Sequence, residues 1–261
     1  MRVTSGDPWR ALRGLRIGCV KYLNSRPLIC AYDDPVTFEH PSVLAQMLAH
    51  GELDVALVPA FEALRDPTYL LVDDVAVACD GPVFSVFLAH HGPLNAVRSV
   101  ALDPASLTSA NLLRVLLAEF HGLHPSFGET GDARVLIGNQ AIEFRRAEEG
   151  TSGWQFLDLG AEWKRCTGLP FVFALWAVRA ATPDARAVAD GFRSLKDAGC
   201  SQIPWLAETE AIGDADMRRR YLTEFLRFGI GADGHQALTL YRKLLAKHRL
   251  IPDDSEPLSF I

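Results

Sequence analysis

Three short polar segments of this chain carry residue types that can hold an anion. They are Tyr22-Leu23-Asn24-Ser25, Ser106-Leu107-Thr108-Ser109 and Gly138-Asn139-Gln140. Each lies between an apolar run of strand length and a stretch with helical periodicity. The first turn of a helix leaves backbone N–H groups unbonded, and the helix dipole adds positive potential there. A carboxylate at such a point gains about 0.3–1 kcal/mol from the dipole, and a charge-assisted hydrogen bond contributes about 1.5–3 kcal/mol. Asn24 and Ser25 suit an N-cap and Pro27 suits a first turn, so a helix start is expected there. Thr108 and Ser109 serve either as simple caps or as part of a binding site. Ser85 sits in the apolar run Phe84-Ser85-Val86, where its hydroxyl must find a core partner or face a cavity. No G-x-S-x-G surrounds it, which argues against a hydrolase nucleophile.

The elements that must position these residues alternate short apolar runs with amphipathic stretches, the pattern of an α/β protein. Strands are expected at Leu15–Val20, Val55–Val58, Tyr69–Val72, Val75–Cys79, Val83–Ala89, Val97–Leu102, Ala133–Ile137, Phe156–Leu159 and Pro170–Arg179. Helices are expected at Pro41–His50, Ser109–Phe120 and Ala161–Cys166, with a turn over Asp103–Thr108. Beyond Pro183 the pattern is purely helical, with runs at Ala185–Ala198, Ser201–Ile212, Asp216–Phe228 and Gln236–Leu250. The runs Val83–Ala89 and Phe171–Arg179 are longer and more apolar than the others. Two arrangements fit them: crossover strands linking two α/β lobes across a cleft, or strands buried on both faces of one domain. If the polar segments belong to different lobes, a ligand with two anionic ends is the natural candidate.

Composition narrows the function further. The 261 residues carry a net charge of −6 with no Lys/Arg block, which argues against a nucleic-acid partner. Arg218-Arg219-Arg220 reads as a solvated helix face. No stretch approaches the roughly 20 apolar residues of a membrane span, and Met1–Leu15 is interrupted by Arg10 and Arg13, unlike a signal peptide. The five scattered cysteines form no CxxC pair, which fits core thiols in a reduced cytoplasm. His121 and His124 lack a third ligand at metal spacing, and neither a G-x-G-x-x-G nor a Walker loop is present. No metal and no cofactor is therefore expected. Trp163 and Trp176 read as core or cleft wall.

Together these motifs resemble a known family. Tyr22-Leu23-Asn24 with Pro27-Leu28, then Asp80-Gly81-Pro82-Val83 with Ser85-Val86, then Thr108-Ser109 with Leu112-Leu113-Arg114-Val115-Leu116 match its pattern in order. Leu136-Ile137-Gly138 with Ala141, Asp158-Leu159-Gly160 with Glu162-Trp163, and Thr167-Gly168-Leu169-Pro170-Phe171 continue it. The set resembles the MqnA family, the chorismate dehydratases of the futalosine route to menaquinone. The resemblance implies a type II periplasmic-binding-protein fold with two lobes, two crossover strands, a central cleft and a helical C-terminus. Residues 1–87 plus 178–261 would form lobe I and residues 88–177 lobe II. It implies that chorismate loses its C4 hydroxyl and C3 proton as water, giving 3-[(1-carboxyvinyl)oxy]benzoate. It places Asn24 and Ser85 at the reacting centre. Tyr22, Ser25, Ser106, Thr108, Ser109, Gly138 and Asn139 are the expected substrate-binding set.

Removing the C3 proton needs a base. Asn24 cannot serve, and an unactivated serine is a poor base at neutral pH. The expected base is the substrate's own enolpyruvyl carboxylate, with Asn24 and Ser85 orienting it and hydrogen-bonding the leaving hydroxyl. The related dihydroxynaphthoate synthase of the same pathway shares the fold, but its N-terminal motif is Ser-Pro-rich where this chain has Tyr22-Leu23-Asn24. A non-catalytic solute-binding protein would travel with an export signal or lipobox cysteine, and neither is read here.

Overall fold

The computed structural model describes residues 9–103, 106–150, 153–252 and 257–261. The N-terminal reading therefore falls outside the described residues at 1–8, as the expected turn does at 104 and 105. In chain order the strands are β1 (Ile17–Val20), β2 (Val36–Glu39), β3 (Val55–Pro59), β4 (Leu70–Cys79), β5 (Val86–His91), β6 (Ser99–Ala101), β7 (Ser126–Gly128), β8 (Ala133–Ile137), β9 (Trp154–Asp158), β10 (Phe171–Val178) and β11 (Ser259–Phe260). The α-helices are α1 (Pro41–Ala49), α2 (Ala60–Arg65), α3 (Leu107–Val115), α4 (Gly138–Glu148), α5 (Leu159–Thr167), α6 (Ala185–Ser201), α7 (Ile203–Thr209), α8 (Ala215–Arg220) and α9 (Gly231–Lys247).

The strands form two sheets. One has the order β11-β4-β10-β3-β1-β2, the other β7-β6-β8-β5-β9. In the larger sheet β1 runs parallel to β2 and β3, whereas β10 is antiparallel to both β3 and β4. Helices cover the sheets, so β1 and β3 are buried at every position and read as unbroken apolar runs. The chain crosses from the larger to the smaller sheet once, over residues 80–85, and returns through α5. This is the two-lobed α/β architecture with two crossings. β10 pairs with β3 and β4 over Phe171–Val178, so residues 171–177, expected in the second lobe, lie in the larger sheet.

Several elements differ from the sequence expectation. The strand expected at Val83–Ala89 starts only at Val86. Phe84 has φ of +67°, outside the extended region, and the N–H groups of Val83 and Phe84 are held by the Asp158 side chain instead of a strand. The runs expected at Tyr69–Val72 and Val75–Cys79 merge into one strand, Leu70–Cys79, broken in pattern at Asp74, whose φ is +57°. The short edge strands β2 and β7 are too exposed to carry an apolar run. The C-terminus is not purely helical, because β11 adds a parallel strand beside β4. The helix expected over Asp216–Phe228 ends as α8 followed by a π turn, Tyr221–Phe225.

One carboxylate joins the two crossings. Asp158 caps α5 by accepting from Ala161 N–H (3.0 Å). It also accepts from Val83 N–H (3.0 and 3.2 Å) and Phe84 N–H (2.8 Å). Gly160 lets the helix start approach this closely: a Cβ there would lie 2.5 Å from Cys79 Sγ and 2.6 Å from the Gly81 carbonyl oxygen. Trp163 and Trp176 are fully buried and belong to the core. Among the described residues no helix is long and apolar enough to cross a membrane.

Candidate active site

The two sheets enclose a cavity with about 590 Å³ of empty space, counting its open mouth. That is the size of a small-molecule site. Its walls are mostly apolar: Val20, Pro59, Val77, Val83, Val86, Ile137 and Phe173. Three polar corners interrupt them, one from each of the segments singled out in the sequence.

The first corner holds Tyr22 and Asn24. The chain leaves β1 into a short 3₁₀ turn, Leu23–Leu28, whose cap position is Tyr22 and not Asn24 or Ser25. Ser25 is fully buried and does not line the cavity; its Oγ donates back to the Val20 (2.6 Å) and Tyr22 (2.9 Å) carbonyls. Two of the expected free N–H groups here are used internally. Ser25 N–H bonds Tyr22 O, and Leu23 N–H donates to Asn139 Oδ1 at 3.0 Å. Asn139 thus ties the two lobes together and does not line the cavity. The Tyr22 hydroxyl lies 3.2 Å from His40 Nδ1, and burial, helped by Asp103, pushes its phenol up to about 12.

The second corner is the start of α3. The helix's own ladder begins with Ala110 N–H on Ser106 O, leaving the N–H groups of Leu107, Thr108 and Ser109 ahead of it. Ser106 occupies the cap position, yet its side chain makes no cap bond. Ser106 Oγ is buried without a partner and borders the cavity. Thr108 Oγ1 accepts from Phe61 N–H at 3.1 Å, which leaves its own proton to give, and Thr108 lines the cavity. Ser109 also lines the cavity.

The third corner is Gly138, with φ of +62°. Its N–H bonds the Ser85 carbonyl at 2.9 Å, so that donor is taken. Gly138 instead makes room for a ring: a Cβ would lie 2.9–3.1 Å from the Tyr22 ring atoms. Of the three helix starts expected to hold anions, that of α3 leaves three successive N–H groups ahead of its ladder.

Ser85 is fully buried and stands behind the wall formed by Val83 and Val86. Its Oγ lies 2.6 Å from the hydroxyl of Tyr221, a buried residue at the start of the π turn. Burial raises the Tyr221 phenol far above its ordinary range, partly offset by Ser85 and Asn24. Asn24 Oδ1 is left buried without a partner. Sequence reasoning missed Tyr221, because Tyr221, Leu222 and Phe225 read as the apolar stripe of a helix. The sole signal was general: a buried tyrosine hydroxyl seeks a partner.

The charged residues near these motifs stay out of the cavity. Asp80 pairs with Lys164 and Arg227, both at 2.5 Å, and Lys164 above all holds its carboxyl below the usual range. Glu62 pairs with Arg65 at 2.6 Å, and Lys21 is exposed. His121 Nε2 lies 2.6 Å from Glu162 Oε1. Among the described residues no cluster of three metal-ligating side chains occurs.

Comparison with known proteins agrees with this geometry. A family model described as menaquinone biosynthesis matches residues 15–247. A chorismate dehydratase of Thermus thermophilus is 32% identical over 225 residues, which cover 77% of this chain and 83% of that protein. A crystal structure of an Archaeoglobus fulgidus protein superposes with a TM-score of 0.69 at 17% identity, covering 91% of this chain and 98% of the other. A Candida albicans protein, described as exhibiting the generic periplasmic-binding-protein fold, superposes at 0.60 with 11% identity, covering 92% of each chain. The structural likeness shows the fold: two lobes around a cleft, as in periplasmic binding proteins.

Proposed function

Because the chain belongs to the menaquinone-biosynthesis family, we propose that it is a chorismate dehydratase, a lyase that converts chorismate to 3-[(1-carboxyvinyl)oxy]benzoate and water. The observation that carries this reading is the polarity of the cavity. An open helix start with Ser106 suits a carboxylate, and Asn24 Oδ1 offers an acceptor across apolar walls. The start of α3 and Ser106 Oγ take the ring carboxylate. Asn24 takes the C4 hydroxyl, and Ser85 supports the reacting centre from behind.

Aromatisation of the ring drives the elimination. The described cavity lining contains no Asp, Glu or His, so the substrate's enolpyruvyl carboxylate removes the C3 proton, the C3–H electron pair forms the ring double bond as the C4–O bond breaks, and the proton passes from the carboxyl to the departing oxygen, which leaves as water. The protein's contribution is then positioning and preorganised dipoles in a largely apolar enclosure. We place the enzyme in the cytoplasm, a reading supported by five free cysteines.

Purified protein mixed with chorismate should develop a new aromatic absorbance, with product identified by mass spectrometry. Binding without that change would favour a solute receptor. Asn24→Ala and Ser85→Ala should each slow turnover by at least about tenfold, and near-wild-type rates in both would remove these residues from the mechanism. A titratable side chain within hydrogen-bond reach of C3 in a product complex would overturn the substrate-as-base step.

A further inference from the structure

The corner at the start of α3 is held by a residue that does not line the cavity. Tyr241, on α9 and fully buried, donates its hydroxyl proton to the Thr108 carbonyl at 3.0 Å. Its ring is seated independently of that bond, edge-on against Phe171 at 5.0 Å and Trp163 at 5.8 Å. Burial raises the phenol well above its ordinary range, so the hydroxyl stays neutral and keeps a proton to give. A second grip falls on the same residue: Phe61 N–H, in the first turn of α2, donates to Thr108 Oγ1 at 3.1 Å. The first turn of α3 follows β6 of the smaller sheet, but both grips come from the side of the larger one. The helix α2 joins β3 to β4, and Phe171, against which Tyr241 packs, belongs to β10.

The bond to the Thr108 carbonyl acts on a donor at the cavity. The Thr108 C=O and the Ser109 N–H are the two ends of one planar peptide unit. Ser109 N–H lies ahead of the α3 ladder, and Ser109 lines the cavity with Ser106, whose buried Oγ has no partner. A proton donated to the carbonyl end polarises the peptide and strengthens its N–H as a donor, by about 10–30% per bond. It also fixes the peptide plane, and with it the direction of that N–H. We propose that Tyr241 is a positioning residue for substrate binding: through the Thr108–Ser109 peptide it orients and polarises the N–H that receives the ring carboxylate. The inference rests on the dehydratase reading, which places that carboxylate at α3.

Tyr241→Phe removes the proton and keeps the ring. The Thr108 carbonyl still accepts along the helix from the N–H four residues on, so the variant folds. Steady-state kinetics with chorismate and calorimetric titration with the aromatic product measure the effect. KM and the product Kd should each rise about three- to fivefold with kcat within about 1.5-fold, because a contact made equally in ground and transition states affects binding alone. Tyr32→Phe is the matched control. That phenol also donates to a backbone carbonyl, Leu12 O at 2.9 Å, but does not line the cavity, and its variant should keep wild-type KM and Kd. Tyr241→Phe with KM and Kd within about 1.5-fold of wild type, or with kcat reduced and Kd unchanged, would overturn the proposal while leaving the dehydratase reading intact. An equal rise of Kd in Tyr32→Phe would assign the effect to general loosening and overturn it as well. Wild-type protein that binds chorismate without converting it would overturn the dehydratase reading, and the Kd of Tyr241→Phe for chorismate would then decide the proposal by the same limits. Wild-type protein that binds neither chorismate nor the product would overturn both.

Discussion

Removing the Asp158 carboxylate should loosen both crossings at once. Its side chain is only 10% exposed and accepts from Val83, Phe84 and Ala161 N–H at 2.8–3.2 Å. Asp158→Ala leaves the buried Val83 N–H and its neighbour without acceptors, at about 1–3 kcal/mol each, and removes a helix cap worth about 1 kcal/mol. The expected destabilisation is about 3–7 kcal/mol, which for a chain of this size lowers Tm by about 10 °C or more. Asp158→Asn keeps one acceptor oxygen and should lose about half as much. Urea unfolding followed by tryptophan fluorescence would read this as a lower midpoint at unchanged slope. Turnover should fall as well, because Val83, itself held by Asp158, and Val86 just beyond it form part of the cavity wall. An Asp158→Ala variant within about 1 kcal/mol of wild type would refute the argument that this carboxylate holds the crossings together.

Gly138→Ala should cost about 1–2 kcal/mol for the left-handed backbone alone and should push the Tyr22 ring off its seat. A melting temperature several degrees lower, with KM for chorismate raised, is the expected result by calorimetry and kinetics. Asp80 supplies a pH dependence. Its carboxyl is held below 3.8 by Lys164 and Arg227, so its stabilising effect is complete above that pH and lost as pH falls through the depressed value. Asp80→Asn should therefore be less stable than wild type at pH 7, and the difference should shrink below pH 3.8, measured by urea unfolding across pH.

Much of the fold was legible because its central strands are buried on both faces, and Val55–Pro59 or Phe171–Val178 then appear as apolar runs. Edge strands such as Ser126–Gly128 escaped, since exposed backbone pairing imposes no such pattern. At the site, residue type located the polar segments but not the direction of each side chain. Asn24, Ser25 and Asn139 are all small polar residues at strand–helix junctions. The structure turns Asn24 into the cavity, Ser25 back onto Val20, and Asn139 across to Leu23. Nothing local to those residues separates the three outcomes, because each depends on partners distant in sequence. Tyr221 was hidden for the same reason: its significance lies in a bond to a residue 136 positions away.

The absence of Lys and Arg from the described cavity lining bears directly on the chemistry. A guanidinium beside a carboxylate lowers its proton affinity, and a carboxylate so held is a weaker base. A dianionic substrate could be bound more tightly by two arginines, but both carboxylates would then be stabilised as anions. Here the donors are neutral: the open N–H groups of α3 and the Ser106 hydroxyl. They sit at one corner, so they suit the carboxylate that takes no part in proton transfer. In the proposed mechanism the other carboxylate would meet the Val20, Val77, Val83, Val86 and Phe173 walls, and apolar surroundings would raise its affinity for a proton. Affinity given up in the ground state thereby becomes basicity in the transition state, which is where interactions accelerate a reaction. A site without an acid–base side chain is thus consistent with catalysis, provided that the substrate brings the base and the cavity keeps it unpaired.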